Sequence, residues 1–192
     1  MAGIAFPSRA ELDPRIECEP FILRLGDEGS STHVVDYLKR NWGRFRTVMP
    51  TDSADYFSES VWERKLQDFR NEFQAGQSLR LFLFHPSDCG RIVGDISYTN
   101  VVAGAFRACN LGCKIDAEFE GRGVMSRALI QSNDYAFRRF ALHRIMANYV
   151  PTNERSGRLL RKLGFVIEGY ARDYLHLDGQ WRDHILTSLT KP

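Results

Sequence analysis

Cysteine is scarce in this 192-residue chain: there are four (Cys18, Cys89, Cys109 and Cys113), and none falls at metal-ligand spacing. No C-x-x-C pair occurs and the five histidines share no spacing, so neither a zinc site nor a disulfide framework is expected. Free thiols in a reducing compartment fit that usage. No apolar run is long enough to cross a bilayer. The opening MAGIAFPSRAELDPR has no charged segment followed by an apolar one, as a secretory signal would, so a cytoplasmic protein without a membrane partner is expected. Excess charge is missing too: 26 Lys and Arg against 24 Asp and Glu leave +2. That balance gives no general footprint for nucleic acid. Repeats and low-complexity linkers are also lacking. What remains is 43% hydrophobic and 26% charged, the composition of a globular chain. Its length suits one domain over residues 1–192, with a sizeable core.

Hydrophobic periodicity divides the chain into elements. Phe21, Ile22, Leu23, Arg24 and Leu25 read as a first strand closed by Gly26. Ser30, Ser31 and Thr32 can cap a helix running through Val34, Val35 and Leu38 toward Asn41. After a loop containing Pro50, Val61, Trp62, Leu66, Phe69 and Phe73 recur at helical spacing, with Ser58 or Ser60 as the cap and Gly76 as the stop. Residues 79–84 and 91–99 read as strands joined by the turn HPSDCG, and residues 108–115 as a third. A long amphipathic helix then carries Met125, Ala128, Leu129, Tyr135, Ala136 and Phe140. Residues 144–150 read as a strand. A shorter helix starts at Pro151, Thr152 and Asn153 and stops at Gly164. Residues 165–177 and 181–190 form a final hairpin about Asp178-Gly179. Hairpins flanking a strand–helix–strand unit specify an α+β class, with a mixed, mostly antiparallel sheet and helices packed on it.

The stretch FEGRGVMSRAL, residues 119–129, carries chemistry. A helix start leaves four N–H groups unbonded and places partial positive charge there, which suits an anion. Gly121 and Gly123 permit unusual dihedrals and close approach, and Arg122 adds a full charge. A Walker loop is excluded because G-x-x-x-x-G-K-[ST] is absent, and a dinucleotide fingerprint because Ser126 stands where its third glycine belongs. Two neighbouring strands, each followed by a helix, can splay at the sheet centre. A linear ligand could then pair with one strand edge while its phosphates reach the helix start.

The run NLGCKIDAEFEGRGVMSRAL resembles the acyl-CoA-binding core of the GNAT N-acetyltransferase superfamily. The later run IMANYVPTNERSGRLLRKLGFVIEGYARDYLHLDGQWRDHILTSL is similar, more narrowly, to bacterial ribosomal-protein-alanine N-acetyltransferases. The resemblance implies a GNAT-like sheet with a splayed parallel strand pair and helices on both faces. It implies acetyl-CoA as co-substrate and no metal, with cofactor contacts from Cys113, Lys114, Ile115, Gly121, Arg122, Gly123, Val124, Met125 and Ser126, and from Asn153 and Ser156 near the acyl end. It further implies transfer to the N-terminal alanine of a small-subunit ribosomal protein by a monomer or weak dimer. Two positions depart from the family's usual loop: Glu120 stands where Gln or Arg is usual, and Met125 where Gly or Ala is.

The resemblance would place a Glu base and a Tyr acid where this sequence has Asn148 and Leu160, so neither role carries over. Substitutes lie in EGYARDY. Asp173 or Glu168 is expected as a base acting through water, and Tyr170 or Tyr174 as a donor to the leaving thiolate. An acyl-cysteine at Cys109 or Cys113 is disfavoured because no His adjoins either thiol in the sequence to activate it. Most of the basic group Arg155, Arg158, Arg161 and Lys162 faces one side of its helix and could hold a ribose phosphate or touch ribosomal RNA. Two rival readings therefore stand: another amine acceptor (a lysine, a polyamine or an amino-sugar), or an RNA-binding assembly factor acting on ribosomal precursor particles.

Overall fold

The structure, a computed structural model, describes residues 13–47 and 55–191, apart from the side chain of Cys89. The N-terminal twelve residues and Pro50 lie outside the described residues. Eight strands form one sheet: β1 (Arg15–Cys18), β2 (Phe21–Leu25), β3 (Leu79–His85), β4 (Asp88–Val102), β5 (Ala108–Ile115), β6 (Arg144–Met146), β7 (Val166–Leu177) and β8 (Gln180–Thr190). Their order is β1-β2-β3-β4-β5-β6-β8-β7, and of the neighbouring pairs only β5 and β6 run parallel. Four α-helices connect them: α1 (Ser31–Phe45), α2 (Glu59–Gln74), α3 (Val124–Arg139) and α4 (Glu154–Lys162).

Alternation along β3 assigns the two faces. Leu79, Leu81 and Leu83 face one core cluster with Ala128 and Leu129 of α3 and Leu160 of α4. Phe82 and Phe84 face the other, with Val34, Val35 and Leu38 of α1 and Trp62 and Leu66 of α2. Helices thus cover both faces, as a mixed sheet with period-2 strands requires. Among the described residues, no helix is long and apolar enough to cross a membrane.

Besides shifts at element ends, such as β4 (Asp88–Val102) against the expected 91–99, two elements differ from the sequence reading. Strand β1 is an additional edge strand, paired with β2 from Arg15↔Arg24 to Cys18↔Phe21. Its four residues include two charges, so it carries no apolar period to detect. Strand β6 is three residues long where seven were expected. Beyond Met146 the backbone keeps irregular bonds to β8: Ala147 N–H donates to Thr187 O (3.0 Å), and Tyr149 and Ile185 exchange bonds of 3.1 and 2.8 Å. The Asn148 side chain joins them, its Oδ1 accepting from Thr187 N–H at 3.3 Å.

Candidate active site

The early end of β6 opens the sheet. β5 and β6 pair only over Ala108↔Arg144, Cys109↔Ile145 and Asn110↔Met146. β5 continues through residues 111–115 with no partner on that side, and one of its backbone edges faces a cavity of about 790 Å³. The cavity walls come from the end of α1, the outer half of β5, the start of α3, and α4.

The start of α3 is shaped by two left-handed glycines, Gly121 (φ 71°) and Gly123 (φ 72°). Such dihedrals are disfavoured for residues bearing a Cβ. Gly123 is the N-cap, and the first helical bond runs from Arg127 N–H to Gly123 O at 3.1 Å. The N–H groups of Val124, Met125 and Ser126 therefore have no intrahelical acceptor. Met125 turns into the core, 7% exposed, with its Cε near Gly94 of β4, where a Cβ would lie 3.4 Å from it and 2.9 Å from Lys114 O. A bulky side chain at this place is therefore taken up largely by the core.

α4 presents the opposite wall. Asn153 caps it, its Oδ1 accepting from Ser156 N–H at 3.2 Å. Gly157 admits Tyr149 so closely that a Cβ would sit 2.9 Å from the tyrosine hydroxyl. Arg155, Arg158 and Lys162 line the cavity with Arg44, Lys114 and Arg182, against two acids, Glu120 and Glu154. Much of the basic face of α4 is thus turned toward the cavity. Lys114 is held by Asp95 (2.8 Å), which also accepts from the buried Tyr37 hydroxyl at 3.0 Å. Glu120 accepts from both Arg44 and Arg155. Neither partner was legible in the loop motif, since Arg44 stands 76 residues upstream.

Of the expected cofactor contacts, Cys113, Lys114, Ile115, Gly121, Gly123, Val124, Met125, Ser126, Asn153 and Ser156 all line this cavity. Arg122 does not, and its guanidinium lies 5.8 Å from the centre of the Phe119 ring. None of the four expected catalytic side chains lines the cavity. Glu168 is bound to Arg144 at 2.7 Å, at the far end of β6. The Tyr170 hydroxyl donates to Asp183, which also accepts from the backbone N–H of Asp173 at 2.9 Å. That bond to Asp183 raises the phenol's pKa and, in return, lowers the carboxylate's. The Tyr174 hydroxyl accepts from Asn148 Nδ2 at 3.1 Å, two residues before the cavity-lining Val150. His184 is buried with Nδ1 2.9 Å from Arg182 O, a backbone partner of the kind a structural histidine needs. Burial pushes the Cys109 and Cys113 thiols up to about 12, so neither is a ready nucleophile.

A splayed parallel pair, a glycine-bounded helix start and a cationic far wall suit a long ligand carrying phosphates. Residues 31–166 match the acetyltransferase (GNAT) domain family. The chain belongs to the GNAT family. It is 39% identical over 178 residues to the ribosomal protein uS5-alanine N-acetyltransferase of Escherichia coli K12, covering 93% of this chain and 91% of that one. Among solved structures, the ribosomal-protein-S5-alanine acetyltransferase of Vibrio fischeri superposes with a TM-score of 0.88 at 33% identity, covering 94% of this chain and all of that one. Mycobacterium smegmatis RimJ, solved in complex with CoA-disulfide, gives a TM-score of 0.83 at 26% identity, over 93% of this chain and 86% of that one. This GNAT chain therefore has the mixed sheet, splayed strand pair and two-sided helical cover expected from its sequence.

Proposed function

We propose that this GNAT acetyltransferase transfers an acetyl group from acetyl-CoA to the N-terminal alanine of a small-subunit ribosomal protein. The observation that carries the reading is the 39% identity, over nearly the whole of both chains, to an enzyme named for that reaction. The cavity supports it physically. Acetyl-CoA would supply the activated thioester. The unbonded N–H groups at the start of α3 suit its pyrophosphate, and the free edge of β5 suits the amides of its pantetheine arm. Arg158 and Lys162 add positive charge on the facing wall.

The acceptor needs little activation, since an α-amino group titrates near 8 and a useful fraction is neutral at pH 7. Of the four sequence-derived catalytic candidates, this reading retains two. Tyr174 accepts a hydrogen bond from Asn148, which leaves its own proton available for the leaving thiolate. Asp173 engages Asp183 through its backbone and keeps its carboxylate for a water-mediated base role. Glu168 is committed to Arg144, and Tyr170 to Asp183.

The direct test is incubation with acetyl-CoA and unmodified small-subunit ribosomal proteins, followed by mass spectrometry of their N-termini. One alanine terminus gaining 42 mass units is the expected result. Acetylation of lysines, polyamines or amino-sugars instead would move the enzyme to another acceptor class. No binding of acetyl-CoA in a calorimeter would remove the acetyltransferase reading altogether.

A further inference from the structure

The glutamate that opens the phosphate cradle is not turned away to solvent. The Glu120 side chain is only 19% exposed, and each of its carboxylate oxygens takes a different guanidinium: Oε1 that of Arg44 and Oε2 that of Arg155. Arg44 belongs to the last turn of α1 and Arg155 to the first turn of α4, so the three side chains bridge separate walls of the cavity. The other cavity-lining acid, Glu154, behaves differently. It is exposed and pairs with Arg158 one turn along its own helix, at 3.0 Å.

Glu120 lies four residues before the first of the N–H groups assigned to phosphate, and lines the same cavity. One carboxylate against two guanidinium groups leaves a net positive charge, which a phosphate would meet at once. Each phosphate of a pyrophosphate carries about the charge of a carboxylate and offers two non-bridging oxygens to an arginine fork. Carboxylate and phosphate therefore compete for Arg44 and Arg155. They also repel one another across a short distance in a partly enclosed site, where screening is weak.

We infer that Glu120 is a resident competitor anion, which weakens the cavity's hold on its phosphorylated ligand and speeds that ligand's departure by taking back Arg44 and Arg155. The inference rests on the acetyl-CoA reading and adds a residue that tunes affinity to those that supply it. It also explains why an acid can stand where Gln or Arg is usual: its charge is spent on two arginines whenever phosphate is absent.

The test is calorimetric titration of CoA into the full chain and its Glu120→Gln variant, with Glu120→Ala as a second probe of the same charge. Both variants are expected to bind CoA more tightly, by about tenfold, with a steeper dependence on salt. Arg44→Ala is expected to cost more affinity in the Glu120→Gln background than in the natural chain. In turnover, KM for acetyl-CoA and kcat should fall together in Glu120→Gln if product leaves slowly. Unchanged or weaker CoA binding in both Glu120 variants, with their melting temperatures near that of the natural chain, would overturn the inference and leave Glu120 a brace between helices. Failure of the natural chain to bind CoA would instead remove the acetyltransferase reading itself, so the two failures are distinct.

Discussion

Single residues decide whether the cradle exists. Gly123 combines a left-handed backbone with tight surroundings, since a Cβ there would lie 3.3 Å from Arg127 Nη1. Gly123→Asp should weaken CoA binding at least tenfold, because a carboxylate would stand beside the unbonded N–H groups and the backbone strain would add roughly 1–2 kcal/mol. Calorimetry checks the affinity, and a melting curve separates it from lost stability. Tyr174→Phe should lower kcat while leaving CoA affinity unchanged, if its proton goes to the thiolate; steady-state kinetics beside a CoA titration decides. The glycines were legible in the sequence because backbone need maps directly onto residue type. The setting of Glu120 was not, for a physical reason: its partners Arg44 and Arg155 stand far from it in the chain.

Elements position those residues, and α1 is the one that fixes the loop before the cradle. Arg40, Asn41 and Arg44 lie within one turn and reach Asp116, the Ala117 N–H and Glu120 respectively. Burial alone would raise the Asp116 carboxyl, but the Glu118 N–H and the Arg40 guanidinium overcome it and hold the group below the ordinary carboxylate range. A lowered folded value means that the stabilisation is complete above the ordinary carboxylate range and is lost as pH falls through the folded value. Asp116→Asn should therefore destabilise the protein at neutral pH by about 1.5–3 kcal/mol, and the gap should close in acid. Denaturant melts from pH 7 down to about 3 read both effects. On the other face, the Tyr98 hydroxyl of β4 lies 2.8 Å from both Ser132 Oγ and Asn133 Oδ1 of α3. Tyr98→Phe should leave the buried Asn133 short of a donor and cost about 1–3 kcal/mol, measured by chemical unfolding. The helices and most strands were readable from their apolar periods. β1 was too short and too charged, and the end of β6 depends on Asn148 replacing a backbone acceptor, which no periodicity records.

At the scale of the whole molecule, one sheet separates the two clusters and shares strands with both. β3 contributes Leu81 and Leu83 to one and Phe82 and Phe84 to the other, so neither cluster can melt and leave β3 in place. Unfolding should be a single cooperative transition by circular dichroism and tryptophan fluorescence alike. If CoA binds as proposed, a hundredfold excess over Kd adds about 2.7 kcal/mol and should raise the melting temperature by roughly 5–10 °C. Overall class, the order of every strand and α-helix after β1, and the cavity walls from β5, α3 and α4 followed from local pattern and resemblance, whereas the wall from α1 and the cross-cavity ion pairs needed three dimensions. The three-rung pairing of β5 with β6 has one more consequence. The unpaired stretch of β5, residues 111–115, spans about 16 Å at the rise of an extended strand. On the proposed function that stretch would work as a ruler. If acetyl-CoA binds as proposed, with its phosphates at one end, this length would set how far along the cleft the thioester arrives, and one more rung would shorten the scale.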